Sequence, residues 1–390
     1  MPPLEALIAD ASALLEPAPQ GGAALSPVET EAARILRICN ACRYCEGFCA
    51  MFPAMTRRLE FGGADLHYLA NLCHGCGACL HACQYAPPHE FAVNVPRTLA
   101  RLRVQTYRRH AWPRALGTLY ARNGLALSLA LAGGIALFLL LALSLRGTLV
   151  QGVPGAAFYR VFPHALMAAL FGMVFAYALL ALGVAVTRFW REAAPGSASA
   201  AALADAAGAV ATLRYLEGGH GQGCNNEDDR FSLARRAFHQ ATFYGFLLCF
   251  ASTLVAALYA YALHRAAPYP RDSLAPLLGI VGGIAIVVGT LGLLHLNLRR
   301  DPLQGDPAQK PMDRGFIALL LGTAASGLAL TVWRASAAMP ALLALHLGAV
   351  LALFITLPYG KFAHAPMRAV ALLKWAVERR QPARIRLAED

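Results

Sequence analysis

Six long stretches without a single charged residue constrain this chain more than any other feature of its sequence. Each reaches about 20 residues, the length that a helix needs to cross a hydrocarbon core roughly 30 Å thick. One such stretch fits a buried core helix, whereas six in succession predict a bundle of membrane helices. The stretches are 124–145, 161–187, 240–263, 273–298, 315–333 and 335–360.

The composition agrees with a membrane protein and sets its expected orientation. Of the residues, 57% are hydrophobic and 14% are charged, against about 25% charged in soluble domains. The net charge of +12 favours a basic aqueous face over nucleic-acid binding. Lysine and arginine number 24 in the segments that flank the stretches on the side of the N-terminus (97–122, 188–238, 299–314 and 361–390) and five on the opposite side. Because basic residues accumulate on the cytoplasmic side, both termini are expected there.

Eight of the ten cysteines form two identical runs ahead of the first stretch. The spacing C-x2-C-x2-C-x3-C is that of bacterial ferredoxins, in which the fourth cysteine of each run binds the other [4Fe-4S] cluster. Zinc sites and disulfides are the alternatives, but zinc favours separate pairs and a reducing cytoplasm disfavours disulfides. The predicted ligands are Cys39, Cys42, Cys45 and Cys83 for cluster one, and Cys73, Cys76, Cys79 and Cys49 for cluster two.

Cys224 and Cys249 lie outside the runs. Cys249 falls within an apolar stretch and is interpreted as a small core residue. Cys224 lies in a polar loop and is interpreted as a loop thiol, with a ligand or reactive thiol as the alternative.

Histidines within or beside the stretches indicate haem ligands, because such residues are costly in a membrane. His346 and His364 are 18 residues apart, which is five helical turns if the last span continues as one helix past Pro358. His239 is expected at the depth of His364 and His164 at the depth of His346. The alternative for each is an interfacial histidine bonded to a backbone carbonyl.

Other residues are predicted to serve these sites. His295, near the cytoplasmic end of the fourth span, is a candidate for a quinone site. Basic side chains at the same depth are candidates for contacts with haem propionates. They are Arg235, Arg236, Lys361 and Arg368.

The chain is therefore expected to be mainly α-helical, with a ferredoxin-like domain that holds two [4Fe-4S] clusters followed by a six-helix membrane bundle. The expected segments are an N-terminal extension (1–30), the cytoplasmic cluster domain (31–122), the membrane haem b domain (123–364) with a cytoplasmic loop (188–238), and a basic C-terminal tail (365–390).

Three segments resemble the citrate- or tricarballylate-utilization protein B (CitB/TcuB) family. They read CRYCEGFCAMFPAM, DLHYLANLCHGCGACLHACQYAPPHEFAVNVP and RRAFHQATFYGFLLCFAST. The resemblance implies a subunit of the bacterial inner membrane with two iron–sulfur clusters and b-type haem. It would carry electrons from the FAD of a partner dehydrogenase on the cytoplasmic face to the quinone pool.

The segment HLGAVLALFITLPYGKFAH is similar to the last helix of the respiratory nitrate reductase gamma subunit, and AFHQATFYGFL to an earlier helix. This similarity implies that His239 and His364 are the axial ligands of a proximal haem. The partner of His346 in that family would fall at Cys249, so one or two haems are expected, with His164 as the other possible ligand of a distal one.

Two rival functions remain at this point. A flavin, iron–sulfur and haem system in cobalamin (precorrin) biosynthesis would use the same electron-carrying subunit. A transporter with a regulatory metal domain fits six spans, but no acidic residue lies inside any of the six stretches. No G-x-G-x-x-G motif follows a strand, so a flavin is expected on another chain.

Overall fold

The computed structural model describes residues 24–150, 157–193, 196–265 and 267–382. Most of the expected N-terminal extension and the end of the expected tail lie outside these residues. The described part contains no β-strand and thirteen α-helices, which are α1 Pro27–Cys42, α2 Met51–Met55, α3 Gly63–Leu72, α4 Ala78–His81, α5 Val95–His110, α6 Asn123–Arg146, α7 His164–Ala193, α8 Ala200–Thr212, α9 Ala234–Tyr261, α10 Leu274–Arg299, α11 Lys310–Trp333, α12 Met339–Thr356 and α13 His364–Glu378.

Six of these helices are long and apolar enough to cross a membrane, namely α6, α7, α9, α10, α11 and α12. Many of their large apolar side chains are exposed, among them Leu129, Met173 and Val288. Lipid covers such surfaces in a membrane bundle. The prediction of a mainly helical chain with six membrane helices is confirmed.

Glycines bring pairs of membrane helices into close contact. A Cβ atom at Gly134 of α6 would lie 2.6 Å from the carbonyl oxygen of Gly348 on α12. At Gly245 of α9 it would lie 2.8 Å from the carbonyl oxygen of Gly282 on α10. Small residues at such crossings allow the backbones to pack directly, which is the usual basis of helix association in membranes.

The helices α1 to α5 form a separate apolar core beside one end of the bundle. The capping box of Ser26 and Glu29 starts α1, and fully buried side chains such as Leu36, Met51 and Leu69 fill the core. This N-terminal domain contacts the bundle at Glu192, near the end of α7, whose carboxylate accepts a hydrogen bond from His110 at 2.7 Å.

The last membrane helix does not continue to His364, so the expectation of one helix through both His346 and His364 is wrong. Pro358 has no N–H to donate to the helix. Here α12 gives way to two short 3-10 turns, Leu357–Tyr359 and Lys361–Ala363, with extended backbone at Gly360. His364 then begins the new helix α13.

The helix α13 occupies the position expected for a basic tail and packs into the N-terminal domain. Ala371 and Leu372 belong to the core of that domain, and Ala376 packs with Ala202 of α8. A helix that follows directly from the membrane bundle therefore helps to build the N-terminal domain.

Candidate metal and cofactor sites

Four of the predicted ligands line one cavity of about 270 Å³ at the surface of the N-terminal domain. The first run supplies three of them where α1 ends, because Arg43 adopts a left-handed conformation and turns the chain. Cys83 follows α4 and completes the set, while Cys79 of the second run also reaches the cavity wall. The four are Cys39, Cys42, Cys45 and Cys83.

The other four cysteines line a second, much smaller space of about 10 Å³. Cys49 of the first run is here and three cysteines of the second run surround it. Gly75 and Gly77 have positive φ angles of 60° and 86°, which a residue without a Cβ adopts readily. The four are Cys49, Cys73, Cys76 and Cys79.

The two spaces therefore group the cysteines in the crossed pattern that the spacing predicts. Among the described residues, no three His, Cys, Asp or Glu side chains are arranged to hold a single metal ion. The larger space also has room for an inorganic cluster. Burial and the neighbouring thiol of Cys45 raise the pKa of Cys39 to about 12, so a bound cation is needed to keep this side chain as a thiolate. The donor chemistry of both cysteine sets fits iron–sulfur ligation.

The two spaces differ in their access to solvent. All of the cysteines assigned to cluster one are partly exposed, and Tyr44 at the rim is 70% exposed. Cys49, Cys73 and Cys76 are buried. The set Cys39, Cys42, Cys45 and Cys83 (the outer cysteine set) therefore faces solvent, and the set Cys49, Cys73, Cys76 and Cys79 (the inner cysteine set) is more enclosed by protein.

His239 of α9 and His364 of α13 face each other. Their ring centroids are 6.1 Å apart and their planes are nearly perpendicular, at 86°. Two imidazole nitrogens bonded to one metal at about 2 Å place the ring centroids roughly 6 Å apart. The observed separation therefore fits a pair of axial haem ligands.

The hydrogen bonds of the two rings agree with this role. His364 Nδ1 lies 2.5 Å from the carbonyl oxygen of Lys361, and such a bond fixes the ring and leaves Nε2 for a metal. Burial and the nearby Arg368 guanidinium hold the pKa of His364 well below its usual range, so the ring is neutral, as a ligand must be. His239 Nδ1 is buried without a hydrogen-bond partner in the described part of the chain.

His346 and His164, which are predicted to bind a distal haem, contact different residues. His346 Nδ1 lies 3.2 Å from both Ser326 Oγ and the Thr323 carbonyl oxygen on α11. The His164 ring packs against Tyr159 and Tyr261 instead. The distal pair and the quinone role of His295, which is exposed near the end of α10, stay predictions.

Each basic residue proposed for the propionates has a protein partner. Arg235 donates to the carbonyl oxygen of Gly75 at 2.5 Å, and Arg236 pairs with Glu217 at 2.5 Å. Lys361 pairs with Asp313 at 2.6 Å. Contacts with propionates would have to share or replace these bonds.

Three arginines meet at the loop that contains Cys73 and Cys76. Arg103 of α5 and Arg368 of α13 both donate to the carbonyl oxygen of Cys73, at 3.1 Å and 2.9 Å. Arg235 approaches the same loop from α9. Burial and repulsion by Arg103 lower the pKa of Arg368 to about 10, so the side chain is still charged at neutral pH. Sequence reasoning missed Arg103, because it is one of several arginines along α5.

The two remaining cysteines are not free surface thiols. Cys224 is 2% exposed, donates to the Leu216 carbonyl oxygen at 3.1 Å and packs beside Cys76. Cys249 contacts α10, where a Cβ at Gly282 would lie 2.9 Å from its sulfur. The second cysteine fits the predicted core role.

These features define a multi-pass membrane protein whose N-terminal domain resembles ferredoxins in its cysteine pattern. Comparison with known proteins agrees. A family model described as "Citrate utilization protein B Fer4-like domain" matches residues 32–109, and one described as "Citrate utilization protein B" matches residues 118–384. The chain belongs to the citrate utilization protein B family, as the sequence motifs predict. The Fer4-like domain indicates iron–sulfur clusters.

A curated relative supports the same assignment over the full length. The protein "Citrate utilization protein B" of Escherichia coli is 54% identical over 390 residues, which cover 100% of both chains. No solved structure matches the chain.

Proposed function

We propose that this chain is the membrane subunit of a citrate- or tricarballylate-utilization system and carries electrons from a flavoprotein to quinone. The proposal rests on one observation, which is that the two cysteine sets and the histidine pair lie next to one another. Cys79 lines both cysteine spaces, and Arg368, four residues after His364, donates to the carbonyl oxygen of Cys73. His364 in turn faces His239 at the end of the bundle.

The residues have distinct roles in this proposal. Two sets of four cysteines hold the two [4Fe-4S] clusters in the crossed arrangement, and His239 and His364 hold a b-type haem. When bound, these groups supply one-electron chemistry that amino-acid side chains lack. The chain itself holds them in order, buries the inner cysteines and keeps His364 neutral.

A partner must supply both the flavin and the substrate site. The sequence contains no dinucleotide-binding motif that follows a strand, so we expect an FAD-dependent dehydrogenase as a separate chain. The name of the Escherichia coli relative refers to citrate utilization, which favours a catabolic tricarboxylate system over cobalamin biosynthesis.

The proposed location is the bacterial inner membrane, with both termini in the cytoplasm. The bias of basic residues supports this orientation. It exposes the rim of the outer cysteine set, including Tyr44, to a cytoplasmic partner, and it leaves the bundle in contact with membrane quinone.

The test is electron delivery to quinone. Purified protein is reduced with dithionite and mixed rapidly with a short-chain quinone while the haem absorbance is recorded. We expect rapid haem reoxidation by the wild type, whereas His239→Ala should lack the haem that His239 and His364 hold. The control His264→Ala, which changes an exposed histidine at the other end of α9, should behave like the wild type.

The same preparation separates the proposal from the rival transporter. Proteoliposomes are given radiolabelled citrate without any electron donor or acceptor. We expect no uptake above that of empty liposomes. Uptake of citrate by protein that cannot reduce quinone would refute electron transfer as the function.

A further inference from the structure

Each of the two haem-ligand candidates has an arginine four residues away on its own helix. Arg235 precedes His239 by four residues on α9, and Arg368 follows His364 by four residues on α13. Residues four apart lie on one face of a helix. Each helix therefore presents a histidine and an arginine together, at the end of the bundle that meets the N-terminal domain.

Both arginines bind the same loop of the N-terminal domain. Arg235 donates to the carbonyl oxygens of Gly75 and His74, at 2.5 Å and 3.3 Å. Arg368 donates to those of Cys73 and Asn71, at 2.9 Å and 3.2 Å. Each guanidinium thus spans two carbonyls, a fork geometry that a lysine does not reproduce. The loop that they hold contains two of the cysteines assigned to cluster two.

The charge at this junction is unbalanced. Within the described residues, none of Arg103, Arg235 and Arg368 has a carboxylate at ion-pair distance, whereas Arg58, Arg101 and Arg109 of the N-terminal domain each have one. Partly buried cations of this kind are costly unless an anion compensates them. An iron–sulfur cluster with four thiolate ligands carries net negative charge and supplies that compensation.

We infer that Arg235 and Arg368 form an arginine bridge that holds the Cys73–Cys76 loop against the histidine pair, so that electrons leave the N-terminal domain from cluster two. The inference deepens the proposed function and rests on it. The outer cysteine set, with its exposed rim, then receives electrons from the partner.

Cysteines of the Cys73 loop would hold the cluster, and His239 and His364 would hold the haem. These groups would supply one-electron chemistry, in which the cluster would be oxidised and the haem iron reduced by the same electron, with no proton or covalent bond changing place. The arginines act as positioning residues, through the loop carbonyls and the two helices.

The experiment compares two kinds of variant at the same loop. One kind loses the forked hydrogen bonds of an arginine but keeps its charge, and the other loses the charge. Arg235→Lys and Arg368→Lys keep the charge but lose the forked contact. Arg103→Gln removes a charge from the loop without touching a histidine helix. Arg101→Gln is the matched control, because Arg101 also joins the N-terminal domain to the bundle, at Asp306, but away from the loop.

Two quantities are measured in detergent-purified protein that retains wild-type iron and haem. One is the reduction potential of cluster two, from electron paramagnetic resonance during a redox titration. The other is the rate of haem reduction after a flash-generated deazaflavin radical injects electrons. Equal iron content, haem content and elution volume show that each variant is folded.

If the arginine bridge exists, the two kinds of variant should affect different quantities, one the rate of haem reduction and the other the reduction potential of cluster two. The lysine variants should keep the potential but slow haem reduction about tenfold. Arg103→Gln should lower the potential by the equivalent of a tenfold change in equilibrium constant, about 59 mV for one electron, without slowing haem reduction. Arg101→Gln should change neither quantity.

The outcomes distinguish failure of the arginine bridge from failure of the proposed function. Lysine variants that reduce haem as fast as Arg101→Gln would overturn the bridge alone. Wild-type protein that binds no haem or no iron would overturn the proposed function, and the bridge with it.

Discussion

The crossed assignment of the cysteines leads to a prediction that can be counted in iron atoms. Cys49 belongs to the first run, yet it is buried in the space lined by Cys73, Cys76 and Cys79. Cys49→Ser should therefore destabilise the cluster of the second run. With four irons in each cluster, the iron content should fall from about eight to about four per chain.

Double variants distinguish crossed from uncrossed ligands by the iron content of the purified protein. If the ligands are crossed, Cys49→Ser combined with Cys76→Ser damages one cluster twice and leaves about four irons. Cys49→Ser combined with Cys42→Ser damages both clusters and leaves almost none. If each run binds its own cluster, the two results are exchanged.

The assay is iron analysis of purified protein together with electron paramagnetic resonance after reduction. The resonance identifies which cluster remains, and Cys83→Ser provides the reciprocal test on the site of cluster one. A Cys49→Ser and Cys76→Ser double variant that contains no iron would refute the crossed assignment.

Three further predictions concern helix packing at Gly134, the charge of Glu29 and the thiol of Cys224. Gly134→Val should lower the thermal stability in detergent by about 1–3 kcal/mol because its side chain meets the backbone of α12, whereas Gly133→Val, with no atom within 4 Å, should not. Although burial opposes it, hydrogen bonding by Ser26 lowers the pKa of Glu29 from its ordinary value. The stability from this carboxylate is complete above the ordinary pKa of a glutamate and is lost as the pH falls through the lowered one. Glu29→Gln should therefore flatten the acid side of a melting-temperature profile. Cys224→Ser should keep about eight irons because this thiol is outside both ligand sets; loss of four would make it a ligand.

The sequence predicts the membrane helices well, because they depend on a local pattern, whereas the ligand role of the cysteine sets stays a prediction. A helix in lipid must satisfy its own backbone hydrogen bonds, so long apolar stretches specify spans directly. The ligand runs place cysteines at fixed spacings, and the second space in the structure collects Cys49 with the later run as expected. Family membership follows from the same motifs.

The contacts between segments could not be read from the sequence. The helix break between His346 and His364 depends on Pro358, which membrane helices often tolerate, and on bonds such as that from Tyr120 to the Pro358 carbonyl oxygen. The docking of α13 and the meeting of Arg235 with Arg368 arise from segments more than 100 residues apart. No local pattern encodes such contacts.

The most direct test of the central claim is the cofactor content of the purified full-length protein. Metal analysis and a reduced-minus-oxidised absorbance spectrum are recorded on the same sample. We expect about eight non-haem irons per chain together with the absorbance bands of b-type haem. Zinc in place of iron, with no haem absorbance, would contradict the electron-transfer function.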